Sequence, residues 1–203
     1  MQRFVFAILF TALTVLGVAA RAQAQAEHYG PSPIEFNAHV GALFVDTPED
    51  VEGDTDPMYG IRLGYNSPSG FGLAGNLDWV PGQRNFAGSD IDINTYLYSG
   101  EVNYTFGSGV RVHPFVAVGV GAATRTFSDL PDDDDIESQT DLMIPFGGGI
   151  KWFSQSNRWG IRTELRDNMV LETDVFDPEE GDEDTEAAHH VELSGGISFF
   201  FGS

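Results

Sequence analysis

From Ile34 onward the chain alternates between large apolar and small or polar residues with a period of two, the pattern of a β-strand whose two faces meet different surroundings. Tyr59, Ile61, Leu63 and Tyr65 fall on one face, while Gly60, Arg62, Gly64 and Asn66 fall on the other. After Ser67-Pro-Ser-Gly70 the alternation resumes, with Phe71, Leu73, Leu77 and Trp79 opposed to Gly72, Ala74, Asn76 and Asp78. Ser-Pro-Ser-Gly between two such runs reads as a tight hairpin turn. Gly107-Ser-Gly109 and Ser154-Gln-Ser-Asn157 repeat the device.

Extended along the chain, the pattern predicts strands at 34–44, 59–66, 71–80, 92–106, 110–125, 141–153, 158–170 and 189–201. Eight is an even number, as up-and-down closure requires, so the expected fold is all-β: an eight-stranded antiparallel up-and-down transmembrane β-barrel. Acidic residues crowd into Asp46–Asp56, Asp129–Glu137 and Glu172–Glu186. Like charges this dense repel one another and stay solvated, which makes these segments loops. Short turns are then expected to alternate strictly with long loops.

The direction of the two faces decides the environment. The polar face carries Glu35, Asn37, His39, Arg62, Asn76, Asp78, Glu101, Asn103, Arg111, His113, Lys151, Arg162, Glu164, Arg166, Glu192 and Ser194. Isolated charges cannot be buried cheaply, yet Arg, Lys and Glu are mixed here and can neutralise one another. An eight-strand lumen is narrow enough for side chains to fill it. The expected lumen is therefore a plug of ion pairs and hydrogen bonds, with Arg62, Glu101, Arg111, Arg162, Glu164 and Arg166 as its charged network.

On the other face, Tyr65, Phe71, Tyr104, Phe106, Trp152, Trp159, Phe199 and Phe201 lie beside short turns or the C-terminal end, and Phe44, Tyr59, Trp79 and Tyr96 lie toward the long loops. These are the positions of the two aromatic girdles of a membrane barrel. A soluble lipocalin-like barrel is the structural alternative, since it also has eight alternating strands. It would reverse the faces, and its free surface would then carry Gly60, Gly64, Gly72, Gly119, Gly121, Gly147 and Gly149, which suit a crowded interior better.

Before the first strand, Met1-Gln2-Arg3 gives a positive charge and residues 4–20 run almost wholly apolar into alanine-rich candidate cleavage sites. This is the layout of a secretory signal peptide. Residues 1–24 are expected to be that leader, cut between 22 and 26, and residues 25–203 to form the barrel domain. The chain has no cysteine, so disulfides hold none of it. Loss of Arg3 and Arg21 with the leader takes the formal charge from −21 to −23, which argues against a nucleic-acid partner.

Gly160-Ile-Arg-Thr-Glu-Leu-Arg-Asp167 and the ending His190-Val-Glu-Leu-Ser-Gly-Gly-Ile-Ser-Phe-Phe-Phe201 resemble the closing strands of small outer-membrane β-barrel proteins of the OmpA-like and OmpW-like kind. The resemblance covers the expected mature chain. It implies an outer-membrane location in a Gram-negative bacterium, lipid and lipopolysaccharide as surroundings, and the barrel-assembly machinery as a partner during insertion; it leaves the oligomeric state open. That machinery reads a terminal aromatic, which here is followed by Gly202-Ser203. A soluble peptidoglycan-binding domain, common after OmpA-like barrels, is not expected after Phe201.

Some barrels of this size act on lipid A with a neighbouring His and Ser. His190 and Ser194 lie four residues apart on one strand, about 13 Å, too far for direct proton transfer. No enzyme activity or cofactor is expected. His39 and His113 read as satisfied lumen groups, and His189 and His190 as neighbours that point to opposite faces. Asp50, Glu52, Asp54, Asp56 and Asp132, Asp133, Asp134, Asp135 offer carboxylates of the type calcium or magnesium prefers, without a complete calcium-loop motif; a solvated acidic surface accounts for them more simply. Two functions fit: a non-enzymatic barrel serving envelope integrity or surface interaction, and OmpW-like transport of small apolar compounds through a side opening. Pro114 and Pro145, which cannot donate ladder hydrogen bonds, could mark such an opening, though a bulge is the commoner result.

Overall fold

The computed structural model describes residues 32–45, 55–86, 89–107, 111–128, 138–171 and 187–202. The leader and its cleavage site lie outside these residues, as do most of the acidic segments. Eight antiparallel strands run in order around a closed barrel: β1 (Ile34–Val45), β2 (Thr55–Asn66), β3 (Phe71–Phe86), β4 (Ser89–Thr105), β5 (Val112–Ser128), β6 (Gln139–Phe153), β7 (Trp159–Leu171) and β8 (Ala187–Phe201). Each strand pairs with its sequence neighbour, and β8 pairs with β1 to close the wall.

The register fixes the shape. Following paired residues around the wall leads from Ile34 through Tyr65, Leu73, Val102, Val118, Phe146, Asp167 and Val191 back to β1 at Phe44. The path returns ten residues further along β1 than it began. A ten-residue stagger over eight strands, with a rise of about 3.3 Å per residue and a spacing of about 4.8 Å between strands, tilts the strands by about 40°.

The turn that joins β2 to β3 shows why Ser67-Pro-Ser-Gly70 was chosen for its place. Gly70 N–H donates to the Ser67 carbonyl at 3.0 Å, and Ser67 N–H donates to the Phe71 carbonyl at 2.7 Å. Gly70 has φ +89°, the left-handed region that glycine enters without a Cβ clash. At the β6–β7 turn, Asn157 takes the same role with φ 52°, and its N–H donates to the Ser154 carbonyl at 3.1 Å.

The far end of one hairpin departs from the expectation of strict alternation. Instead of a loop over 81–91, the β3–β4 ladder continues through Pro81↔Asn94 to Phe86↔Ser89. Pro81 does not break it, because a ladder tolerates proline wherever its missing N–H is not the bonded group. Asp56, expected in a loop, lies inside β2 opposite Leu43.

No bulge marks either internal proline. The β5–β6 register is the same on both sides of a two-residue interruption between Val118↔Phe146 and Gly121↔Met143, and Pro145 sits in that interruption. Pairing of Pro145 with Asn168 on β7 is uninterrupted. Pro114 pairs with Ile150, and its carbonyl accepts from Phe106 N–H at 2.8 Å.

Large apolar side chains cover the outside: Val40, Leu63, Leu73 and Val120 are each at least 60% exposed. A continuous apolar surface of this kind exceeds what a protein in water presents. Phe71 and Trp79, both outward on β3, lie about 26 Å apart along the strand and so roughly 20 Å apart along the axis, a spacing suited to an apolar band about 25 Å tall. Tyr59 and Trp79 pack with ring centroids 5.8 Å apart at one edge of the band, Trp152 and Trp159 at 5.6 Å at the other. The lipocalin-like arrangement is thus excluded, because the charges are inside and the apolar face is outside. Phe106 departs from its expected girdle place. β4 ends at Thr105, the alternation ends with it, and Phe106 turns inward to 9% exposure with its ring edge-on to Tyr104 at 4.8 Å.

Candidate functional site

The lumen is built from every second residue of each strand, and its filling is layered. Toward the long-loop end, Leu43, Met58, Val80, Leu97, Ala123, Met143 and Val170 form one buried apolar cluster, with one side chain from each of β1 to β7. At the short-turn end, Phe106, Phe153 and Phe200 are buried, with Phe153 and Phe200 5.1 Å apart and His113 edge-on to Phe153 at 5.1 Å. The expected plug of ion pairs and hydrogen bonds is present, and the apolar layers on either side of it are additional to that expectation. The main ion-pair network forms a middle layer between two apolar ones, and beyond the apolar layer on the long-loop side Asp141 is buried and pairs with Arg125 at 3.5 Å.

The middle layer is an ion-pair network. Arg62 Nη2 stands 2.9 Å from Glu164 Oε2 and 3.4 Å from Glu101 Oε2. Arg166 Nη2 lies 3.0 Å from Glu101 Oε1 and 3.1 Å from Glu164 Oε1, and its Nη1 lies 3.6 Å from Glu192 Oε2. Arg162 Nε donates to Glu164 Oε2 at 3.1 Å, and the guanidinium lies 3.8 Å over the Phe115 ring. Lys151 Nζ donates to Glu35 Oε2 at 2.7 Å and lies 5.6 Å over the same ring. Arg62 Nε also donates to Asn76 Oδ1. All these charged side chains are nearly inaccessible to solvent, so each charge depends on its partners.

Five of the six network residues expected from the sequence, Arg62, Glu101, Arg162, Glu164 and Arg166, meet in this layer. Arg111 does not. It lies before the start of β5, exposed at the short-turn rim, and its carbonyl accepts from Phe153 N–H. The physical reason is the aromatic floor. A guanidinium there would be buried without a carboxylate, whereas the rim is open to water. Glu35, Asp78, Lys151 and Glu192 complete the network.

The lumen glycines make the packing possible. A Cβ on Gly121 would collide with the Tyr98 carbonyl oxygen, and one on Gly147 with the Leu165 carbonyl oxygen. Two outward glycines behave oppositely. A Cβ on Gly100 would meet nothing within 4 Å, and one on Gly75 only the Ser99 carbonyl at 3.9 Å. These paired glycines floor a concavity of about 900 Å³ between Leu63, Leu73, Val102, Val118 and Val120, which opens toward the hydrocarbon rather than the lumen.

The other chemical candidates are distributed, not assembled. Ser194 Oγ donates to Glu192 Oε1 at 2.9 Å, and His190 is buried on the same inner face. His113 Nδ1 donates to the Phe106 carbonyl at 3.2 Å. His189 points outward, with Nδ1 3.0 Å from Asp167 Oδ2, near the long-loop edge of the apolar band. The cation candidates Asp50, Glu52, Asp54 and Asp132, Asp133, Asp134, Asp135 lie outside the described residues. Among the described residues no cluster of three or more His, Asp or Glu side chains is arranged to hold a metal ion.

Comparison with known proteins agrees with this architecture. The solved structure of Neisserial surface protein A superposes with a TM-score of 0.61 at 17% identity, covering 85% of this chain and 100% of that one. The N-terminal β-barrel domain of Pseudomonas aeruginosa OprF gives 0.52 at 19% identity, over 84% and 100%. Ail, the attachment invasion locus protein of Yersinia pestis, gives 0.53 at 14% identity, over 83% and 99%. At these identities the likeness is one of fold. No curated protein sequence matches the chain. A closed eight-stranded barrel, apolar outside and ion-paired inside, and a match to the family model over residues 10–199 lead to one assignment: the chain belongs to the outer membrane protein beta-barrel domain family and resides in the outer membrane of a Gram-negative bacterium.

Proposed function

We propose that the protein is a non-enzymatic, non-conducting barrel that contributes to envelope integrity and carries its acidic segments on the cell surface. The observation that supports this reading is the layered lumen: a buried ion-pair network closed on one side by Met58, Met143 and their neighbours and on the other by Phe153 and Phe200. An ion entering would have to displace apolar side chains from both ends and break pairs that have no water to replace them. His39, His113 and Ser194 are each bonded within the filling, which favours a structural role over catalysis.

On this reading the long connections face the medium and the short turns face the periplasm. The barrel inserts through the assembly machinery and packs against lipid and lipopolysaccharide. Its acidic segments stay solvated, and calcium or magnesium serves as a counter-ion to them without a dedicated site. Transport of small apolar compounds is the second reading, and one observation favours it, the interruption of the β5–β6 ladder beside Pro145. Weighing against it, a Cβ on Gly119, within that interruption, would come within 2.7 Å of Glu101 Cγ, so the lumen behind it is filled.

A strain lacking the gene tests the choice. Increased sensitivity to detergents and bile salts, reversed by a plasmid copy, supports the envelope role. An intact barrier with slowed uptake of a small apolar compound overturns it in favour of transport.

A further inference from the structure

The short-turn end of the barrel is charged against the trend of the chain. Over the whole sequence 31 acids stand against 10 Lys and Arg. Yet among the described residues the exposed charges of this end are Arg111 and Arg158, both positive. Glu35 and Lys151, next in depth, are buried and pair with each other at 2.7 Å. Neither exposed arginine is paired with a carboxylate of the described residues.

The backbone holds both arginines at the rim. The Arg111 carbonyl accepts from Phe153 N–H and the Arg158 carbonyl from Phe200 N–H, each at 2.9 Å. Arg158 directly follows Asn157, whose left-handed φ closes the β6–β7 turn. Phe153 pairs with Gly160 of β7, two residues along from Arg158. Two strand spacings and two residues therefore separate the arginines, about 12 Å between backbones. Behind them the buried rings of Phe106, Phe153 and Phe200 floor the lumen, so a guanidinium that folded inward would be buried without a counter-charge.

On the outer wall beside them, Trp152 of β6 and Trp159 of β7 pack with ring centroids 5.6 Å apart. Trp79, at the opposite edge of the apolar band, donates its indole N–H to Asn94 Oδ1 at 3.0 Å. Trp152 and Trp159 have no such acceptor among the described residues. Two guanidinium groups and two indole N–H groups thus gather at one membrane edge as donors without acceptors among the described residues.

We infer that Arg111, Arg158 and the Trp152–Trp159 pair form a docking site for the headgroup of an anionic phospholipid in the leaflet that meets the short turns. On the orientation proposed above, that leaflet is the periplasmic one. The phosphate supplies both the negative charge and the acceptor oxygens that these donors lack, and guanidinium N–H groups match it in pairs. The indoles sit where the headgroup gives way to hydrocarbon, the depth that tryptophan favours. At the other end of the barrel the strands lead into Asp46–Asp56, Asp129–Glu137 and Glu172–Glu186, whose like charge repels the same lipid. The preference belongs to one end only.

The test uses the full barrel refolded in phosphatidylcholine vesicles that contain a minor fraction of phosphatidylglycerol, with bromine near the headgroup of one lipid or the other. Trp79→Phe leaves Trp152 and Trp159 as reporters. At equal mole fraction, brominated phosphatidylglycerol is expected to quench them more strongly than brominated phosphatidylcholine; equal quenching overturns the site. Arg111→Gln/Arg158→Gln in that background is expected to bring the two lipids toward equal quenching, a loss of up to about fivefold in relative affinity per arginine at low salt. An unchanged preference overturns the inference. Trp152→Phe/Trp159→Phe, in which Trp79 alone reports, is expected to show no preference for the anionic lipid, and the same preference at both ends would overturn a site at this one. The compact, fast-migrating band on unheated gels checks that each variant is folded. Vesicles carry the lipid in both leaflets, so neither the orientation nor the conductance of the barrel enters the result.

Discussion

Arg62 on β2 and Glu164 on β7 stand three strands apart around the barrel wall and meet across the lumen at 2.9 Å. This contact and that of Arg166 with Glu101 join opposite parts of the wall, so the ion pairs brace the barrel from within as the backbone ladders hold it around the circumference. Removal of one partner leaves the others charged, buried and unpaired. Arg166→Met is expected to destabilise the refolded barrel by about 3–5 kcal/mol, read as a shift of the urea unfolding midpoint. A shift below about 1 kcal/mol would mean that the network is solvated.

The glycines divide into two classes, which behave differently on substitution. Gly121→Ala drives a Cβ into the Tyr98 carbonyl and is expected to prevent formation of the compact, fast-migrating band on unheated gels or to cost at least about 1–3 kcal/mol. Gly100→Ala adds a methyl to open space on the outer wall and is expected to change stability by no more than about 1 kcal/mol, in the stabilising direction. Equal effects would contradict the assignment of inner and outer faces.

All three tryptophans report on the membrane. Trp79 lies on the outer wall near the long-loop edge of the band, and Trp152 and Trp159 near the short-turn edge. Lipids brominated close to the headgroup are expected to quench their fluorescence more than lipids brominated near the bilayer centre. Stronger quenching from the centre would place the girdles wrongly.

The apolar layer near the long-loop end contributes stability as well as closure. Met143, 1% exposed within that cluster, is expected to cost about 2–5 kcal/mol on replacement by alanine. The cost should appear in unfolding experiments without loss of outer-membrane recovery.

Much of this was legible in the alternation. Around Arg62, Asp78, Glu101 and Arg166 small or polar residues alternate with large apolar ones and mark the inner face, and the structure places those four inside. The apolar end layer was not legible in the same way. Leu142-Met143-Ile144 and Met169-Val170-Leu171 are continuous apolar runs, so hydrophobicity alone does not say which residue points inward. Counting by twos from Arg166 to Val170, or from Arg62 to Met58, carries the phase across and would have found the layer. Phe106 and Arg111 were misplaced because alternation stops where a strand ends, and neighbouring residues there need not point to opposite faces.

Closure of the lumen is the claim on which the functional account depends, and electrical recording tests it most directly. Purified barrel inserted into a planar lipid bilayer in molar salt is expected to leave the current at the baseline of the protein-free membrane, with Met58→Gly/Met143→Gly as the comparison in which the long-loop end is thinned. Discrete, reproducible conductance steps from the wild-type barrel would contradict the sealed lumen.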